Sequence, residues 1–258
     1  MSTQKKTGFR IDSMALLLTA LFVFIIGGTI FTNCGGSASG NSSVVTDEDR
    51  KNGIVVAIDP AFGGELTGYE GIMNEADFNE KVADALVEKL SENKRITVLR
   101  THEAGETASV DEKVEVIKEA KATVVLTICC AKSNNANTSG MNIYADKPTS
   151  EFNENSLKFA ECIKQQFTEE DAKEPYVGYM YYEPVGGNTY QIKYAKADDT
   201  TDYELETYRI LEKSNTVGVV VEQIYITNEE QVNRWATEEG YNEIAERYYK
   251  AIKDYLGV

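Results

Sequence analysis

Two side chains with the potential for hydrolytic chemistry lie in apolar segments of this chain. Glu222 belongs to the segment VVVEQIYITN, and Cys129 belongs to VVLTICC. A carboxylate can act as a general base, and a thiolate can act as a nucleophile or as a zinc ligand. A catalytic cysteine needs a neighbouring base that lowers the pKa of its thiol. The single histidine, His102, lies in neither segment, so the sequence offers no histidine to activate Cys129.

Alternating strand-like and helix-like segments would position these side chains. Near-continuous apolar runs, typical of strands buried on both faces of a parallel sheet, occur at Ile54–Asp59, Val124–Ile128 and Val217–Ile226, with a shorter run at Ile96–Leu99. Amphipathic helices are predicted over Glu75–Glu92, Val110–Ala120, Ser156–Phe167 and Tyr241–Leu256. This alternation predicts a three-layer α/β/α domain with a mostly parallel sheet.

The carboxyl ends of the predicted strands are the expected place for a site. Ligands of open α/β sheets bind beyond these ends. Phe62, Cys129 and Glu222 all follow apolar strands or lie at their ends. We therefore expect these three residues to meet at one rim of the sheet.

The N-terminal part of the chain differs in composition from the rest. We predict a cytoplasmic tail over 1–13, a transmembrane anchor over 14–32, a flexible Gly/Ser linker over 33–53 and a folded domain over 54–258. The uncharged run Met14–Phe31 reaches the roughly 18 residues that a membrane-spanning helix needs, and basic residues precede it. A cleaved signal peptide is the alternative, but no small-x-small site closes the run. The prediction is a single-pass protein of the cell membrane with an extracytoplasmic domain.

The charge balance and the cysteines limit the partners and the stabilising chemistry. A formal net charge of −16 disfavours nucleic acid and anionic lipid headgroups. We therefore expect no nucleic-acid partner and contact with the membrane only through the N-terminal helix. The cysteines are Cys34, the adjacent pair Cys129 and Cys130, and Cys162, which do not form a disulfide framework.

Short motifs follow one another in a fixed order from about Ile54 to Leu256. They are Asp59-Pro60-Ala61-Phe62-Gly63-Gly64, Glu75 in NEADFNEKVADAL, Leu99-Arg100, Val110 with Lys113, Thr127-Ile128-Cys129-Cys130-Ala131, SGMNIY over 139–144, and VVEQIYITN over 220–228. In this order they resemble the zinc-dependent N-acetylmuramoyl-L-alanine amidases of bacterial cell walls. The corresponding family motifs include Asp-Pro-Gly-His-Gly-Gly, Ser-Ile-His-Ala-Asn and Leu-x-Glu-x-Gly-Phe-x-Ser-Asn.

The resemblance implies a zinc site in which two of the ligands are replaced. In the family, two histidines and a glutamate hold zinc, and a second glutamate is the general base that helps to cleave the amide between N-acetylmuramic acid and L-alanine. Glu75 stands at the glutamate ligand position and Glu222 at the general-base position, whereas Phe62 and Cys129 replace the histidines. Phenylalanine has no lone pair, so at most two of the three ligands normal for catalytic zinc remain.

These replacements favour a catalytically inactive domain that needs no cofactor. Its predicted partner is the peptidoglycan stem peptide or a protein of the cell envelope or sporulation machinery. The alternative is an active N-acetylmuramoyl-L-alanine amidase with a remodelled metal site, in which Glu75 and Cys129 hold zinc with a further residue or partner. A scaffold protein in which the cleft has no role is the third possibility.

A tyrosine-rich segment is a second candidate binding element. The stretch Tyr176–Tyr194 is predicted to form a two-stranded hairpin with a turn near Val185–Thr189. We assign Tyr179, Tyr181 and Tyr190 as candidate binding residues, because tyrosines stack on sugar rings and anchor protein partners. In the alternative, one face of the hairpin simply covers the core.

Each of the other candidates also has an ordinary structural role. Glu75 could cap the start of its helix and complement the helix dipole. Cys129 could be a small buried apolar residue, and Glu222 could cap backbone groups or pair with a lysine. His102 is expected to be a solvated loop residue.

Overall fold

The computed structural model describes residues 53–168 and 173–258. The predicted tail over 1–13, the predicted anchor over 14–32 and the predicted linker up to residue 52 lie outside the described residues. Within the described ranges, no helix is long and apolar enough to cross a membrane.

Seven strands and six helices make up the described domain. In chain order they are β1 (Ile54–Pro60), α1 (Glu75–Ser91), β2 (Ile96–Arg100), α2 (Val110–Glu119), β3 (Val124–Ala131), β4 (Asn142–Ala145), α3 (Asn153–Phe167), β5 (Tyr176–Gly186), β6 (Thr189–Lys196), α4 (Arg209–Ser214), β7 (Val217–Tyr225), α5 (Glu229–Trp235) and α6 (Glu238–Leu256). The predicted long elements are present with bounds that differ by a few residues. The short helices α4 and α5 had no counterpart in the prediction.

The strands form one mixed sheet in the order β2-β1-β3-β7-β4-β5-β6. Four neighbouring pairs are parallel. The pairs β4·β7 and β5·β6 are antiparallel. The tight turn between β5 and β6 forces antiparallel pairing, since a parallel partner needs a crossover of a dozen or more residues. The predicted α/β class is confirmed, and the sheet is more mixed than the sequence indicated.

Helices cover both faces of the sheet. The helices α1, α3 and α6 pack on one face, and α2 and α4 pack on the other. Side chains of β1 alternate accordingly, because Val56 and Ile58 face the first layer and Ala57 faces the second. Leu86 of α1 has no exposed surface, so truncating it to alanine is expected to cost about 2–5 kcal/mol. The structure therefore has the three layers that the alternation predicts.

Candidate functional site

The candidate site lies where β1, β3 and β7 end, because these parallel neighbours bring their carboxyl ends to one rim. Cys129 of β3 is paired in register with Glu222 of β7. Glu222 is in turn paired with Asn142 of β4. The three side chains therefore stand in a row across the sheet.

The carboxylate of Glu222 is held at one of its two oxygens. Its Oε2 accepts hydrogen bonds from Nδ2 of Asn142 at 2.7 Å and from the hydroxyl of Tyr144 at 3.0 Å. Burial raises the pKa of Glu222, and the two hydrogen bonds partly oppose this rise. The residue keeps some exposed surface. Burial therefore disfavours the ionised form of Glu222, while part of its side chain remains accessible to solvent.

Glu75 connects three segments of the chain. Its Oε1 accepts a hydrogen bond from the backbone N–H of Cys130 at 2.7 Å, and its Oε2 accepts one from the N–H of Tyr69 at 2.9 Å. Asn74, and not Glu75, caps α1 by accepting from the N–H of Asp77, whereas Glu75 lies in the first turn of α1, where a carboxylate complements the helix dipole as predicted. Burial raises the pKa of Glu75 to about 7 against the effect of these hydrogen bonds. The carboxylate thus fastens the loop before α1 to the end of β3.

Phe62 lies beside this carboxylate. Gly68 has a φ of +69°, and a Cβ added there would lie 2.7 Å from Oε2 of Glu75 and 2.7 Å from the Phe62 ring. The Phe62 ring and the Glu75 carboxylate therefore both approach the backbone of Gly68, where no side chain would fit. The position that the family resemblance assigns to a histidine is occupied by a partly buried ring that cannot coordinate a metal.

The two adjacent cysteines are held as neutral thiols. Burial raises the pKa of Cys129 well above its ordinary value, and the charges of Glu222 and Glu75 raise it further. Its Sγ lies 3.5 Å from the carbonyl oxygen of Val221. Burial likewise raises the pKa of Cys130. Neither thiol is in a disulfide, and the environment of Cys129 matches a small buried residue.

The structure brings Phe62, Cys129 and Glu222 to one rim, as expected, and Glu75 joins them there through its contact with Cys130. Among residues 53–168 and 173–258, no group of three histidine, cysteine, aspartate or glutamate side chains is placed to hold a metal ion. The roles assigned to these residues by the resemblance stay predictions.

A buried polar cluster under the rim was missed at the sequence level. Asp59 accepts hydrogen bonds from the hydroxyls of Thr101 at 2.7 Å and Thr127 at 2.9 Å. The ammonium of Lys113 lies 3.0 Å from Asp59 and donates to the carbonyl of Pro60 at 2.7 Å. This cluster anchors the loop that carries Phe62. The position of Lys113 in the fourth motif was the one available signal.

His102 is buried, so the expectation of a solvated loop residue is wrong. Its Nδ1 lies 3.2 Å from the hydroxyl of Thr101, and its Nε2 lies 3.4 Å from a carboxylate oxygen of Glu80. Burial and the charge of Lys113 lower its pKa. The residue is covered because its loop packs against Gly63, where an added Cβ would lie 2.8 Å from Nε2.

The hairpin forms as β5 and β6, but its predicted binding tyrosines have different exposures. Tyr179 and Tyr181 are buried, whereas Tyr190 is 45% exposed near the tip. In this conformation only Tyr190 of the three offers its ring to solvent, and the binding role of all three stays a prediction. The alternate face of the hairpin carries Tyr182 and Tyr194, which pack near Cys129 and were missed.

Comparison with known proteins identifies the family and the fold. The family model Amidase_3, described as N-acetylmuramoyl-L-alanine amidase, matches residues 56–254. No curated protein sequence matches the chain.

Solved amidase structures are similar over most of the chain. The catalytic domain of CwlV from Bacillus (Paenibacillus) polymyxa var. colistinus is 20% identical with a TM-score of 0.61, covering 80% of this chain and 99% of that one. An N-acetylmuramoyl-L-alanine amidase from Clostridium difficile 630 is 21% identical with a TM-score of 0.62, covering 80% and 98%. The CwlD amidase from Clostridioides difficile, solved in complex with the GerS lipoprotein, is 16% identical with a TM-score of 0.61, covering 79% and 98%. With the family model matching most of its length, the chain belongs to the Amidase_3 family of N-acetylmuramoyl-L-alanine amidases.

Proposed function

We propose that this chain is a non-catalytic member of its family, anchored in the membrane with an extracytoplasmic domain whose cleft binds the peptidoglycan stem peptide or a protein of the cell envelope. One observation carries the proposal. Phe62, which has no donor atom, stands where the resemblance assigns a histidine, and its ring and Oε2 of Glu75 each lie 2.7 Å from the Cβ position of Gly68.

The residues at the rim do not fit a catalytic zinc ion. Such an ion takes three protein ligands and keeps one open position. Phe62 offers no donor atom, and Cys129 would have to lose a proton from a thiol whose pKa is raised by burial. Glu75 could accept its two backbone N–H groups and still coordinate a metal through its remaining lone pairs, but it would be a single ligand where three are needed.

A metal-free rim leaves Glu222 without its family role. A general base in this chemistry deprotonates a water molecule that the metal has made acidic. Without the metal, the water keeps a pKa near 15.7, which a carboxylate cannot match. The arrangement supports binding at the strand ends, where open α/β sheets place their ligands. The complex of CwlD with a lipoprotein supports an envelope protein as one class of partner.

Metal content and hydrolysis together test the proposal. The full-length chain, prepared without a histidine tag and offered zinc, should contain far less than one zinc per chain by elemental analysis. It should release no peptide from purified peptidoglycan but should co-sediment with it, or should capture a defined envelope protein when that protein is added pure.

The active-amidase alternative makes the opposite prediction. Stoichiometric zinc, together with hydrolysis that disappears in Cys129→Ala, would overturn the non-catalytic proposal. The double variant Phe62→His with Cys129→His serves as the matched positive control, because it restores the donor types of the family. If neither peptidoglycan nor any envelope protein binds, the scaffold possibility replaces the binding proposal.

A further inference from the structure

The carboxylate of Glu222 has a free oxygen. The two hydrogen bonds it accepts, from Asn142 and Tyr144, both end on Oε2. From the described parts of the chain, no donor reaches Oε1 and no lysine, arginine or histidine forms an ion pair with Glu222. Buried charges in proteins are normally paired, so this carboxylate lacks a positive partner.

Tyrosine rings form the walls around this carboxylate. The buried ring of Tyr144 packs against Tyr194 with centroids 5.9 Å apart and against Tyr208 with centroids 5.7 Å apart. Tyr182, Tyr194 and Tyr208 are each partly exposed. All three pack in the same cluster as Cys129, the register partner of Glu222. The hydroxyl of Tyr144 donates to Glu222, so the rings that pack on Tyr144 lie beside the carboxylate; the charge of Glu222 also raises the pKa of Tyr182, Tyr194 and Tyr208.

This combination suits an organic cation rather than a metal ion. Ca²⁺ takes six to eight oxygen ligands, and the described residues provide no metal-binding group of three at this rim. The faces of tyrosine rings attract ammonium and guanidinium groups. A guanidinium prefers two carboxylate oxygens in a bidentate pair, but one oxygen of Glu222 is already committed. A primary ammonium needs one acceptor as a point charge and can lay its alkyl chain along the rings.

We propose that Glu222, together with Tyr182, Tyr194 and Tyr208, forms a binding site for a primary alkylammonium group carried by a peptide ligand, as on the side chain of a diamino acid. The inference rests on the proposed function, because it uses the same cleft and names the chemical class that the cleft selects. It assigns the retained glutamate a recognition role in place of proton transfer.

A pair of matched probes tests the site. Nα-acetyl-L-lysine methylamide and its neutral analogue Nα-acetyl-L-norleucine methylamide share their backbone and differ by the ammonium group. Each is titrated into the full-length chain with ring-labelled tyrosines, and NMR shifts give the dissociation constants. We expect the lysine probe to bind at least about tenfold more tightly, with the largest shifts on the tyrosines around Glu222; a factor of ten equals about 1.4 kcal/mol.

Two variants assign the selectivity to the carboxylate. Glu222→Gln keeps an acceptor for Asn142 and Tyr144, so the fold should survive while the preference for the lysine probe falls to about twofold or less. Glu206→Gln removes the same charge from an exposed side chain in the segment whose backbone bridges Tyr182, and it should keep the full preference. Equal affinity of the two probes for the wild-type chain, or equal losses in both variants, would overturn the inference.

The aromatic walls have their own test, which also covers misfolding. Tyr182→Phe keeps the ring face and should keep the preference, whereas Tyr182→Leu should reduce it about threefold or more. If both variants bind like the wild type, the aromatic part of the site is refuted. Co-sedimentation with peptidoglycan and capture of the pure envelope protein are measured on the same wild-type sample. If the chain binds peptidoglycan or the envelope protein but does not prefer the lysine probe, the ammonium site is refuted and the proposed function stands. If it prefers the lysine probe but binds neither of them, the proposed function is refuted and the ammonium site stands.

Discussion

Replacing Glu75 by alanine separates a structural carboxylate from a metal ligand. Glu75 accepts the N–H groups of Tyr69 and Cys130 at 2.9 and 2.7 Å, and it is 4% exposed. Truncation leaves two interior N–H groups without acceptors, at about 1–3 kcal/mol each. The free energy of unfolding should therefore fall by about 2–6 kcal/mol in Glu75→Ala, with no dependence on added zinc.

The pH dependence of this loss gives a second readout. The pKa of Glu75 rises from 4.5 to about 7 on folding, so the folded state binds the proton more tightly than the unfolded state. The contribution of this group to stability is complete below pH 4.5 and is lost as the pH rises through about 7. At 1.36 kcal/mol per pKa unit this amounts to about 3 kcal/mol. The cost of Glu75→Ala should accordingly be larger at pH 5 than at pH 8.

Urea denaturation of the full-length chain, followed by circular dichroism at both pH values with and without zinc, measures this cost. Glu88→Ala is the matched control, because Glu88 is an exposed glutamate of the same helix; it should change stability by less than about 0.5 kcal/mol. A Glu75→Ala chain as stable as this control would refute the structural role. A wild-type chain stabilised by zinc in a manner that Glu75→Ala abolishes would identify a metal ligand instead.

Three further substitutions or reagents test the surrounding groups. Burial raises the pKa of Asp146 from 3.8 to about 7, so its contribution to stability is lost between those pH values, and Asp146→Asn should flatten the pH profile of unfolding there. Lys113→Met leaves Asp59 buried without its cation and should cost about 3–5 kcal/mol in denaturant titration. Cys129 should react with iodoacetamide only after unfolding, because its buried thiol stays protonated; rapid alkylation of the native chain, read by peptide mass spectrometry, would contradict this.

The long elements were predictable because their patterns are local. The apolar run at Val124–Ile128 and the four-residue spacing in Glu75–Glu92 each specify one element without reference to the rest of the chain. The direction of β4 was not predictable in this way, since it depends on β7 being its neighbour across the sheet. Local periodicity does not contain that information.

Two errors at the site have the same physical origin. The sequence of the loop that contains His102 predicts a solvated loop. The burial of His102 depends on the close approach of Gly63 from another loop. The hairpin has tyrosines on both faces, so alternation alone could not show which face turns toward Glu222. The rim faces Tyr182 and Tyr194, whereas Tyr181 turns to the opposite side. In both cases the deciding contact joins residues far apart in sequence.

Glu75 and Glu222 differ in how far their surroundings satisfy a buried carboxylate. In a zinc site, one metal ion would neutralise a carboxylate and hold the loops around it. Here the loop of Phe62 is held by the contact of Lys113 with the carbonyl of Pro60 and by the hydrogen bond that Glu75 accepts from Tyr69. Glu222 accepts hydrogen bonds from Asn142 and Tyr144 at Oε2, but among the described residues it has no ion-pair partner. A glutamate at a position that a family resemblance assigns to catalysis is therefore weak evidence for catalysis by itself, because a buried carboxylate can also hold the fold together, as Glu75 does through its two backbone hydrogen bonds.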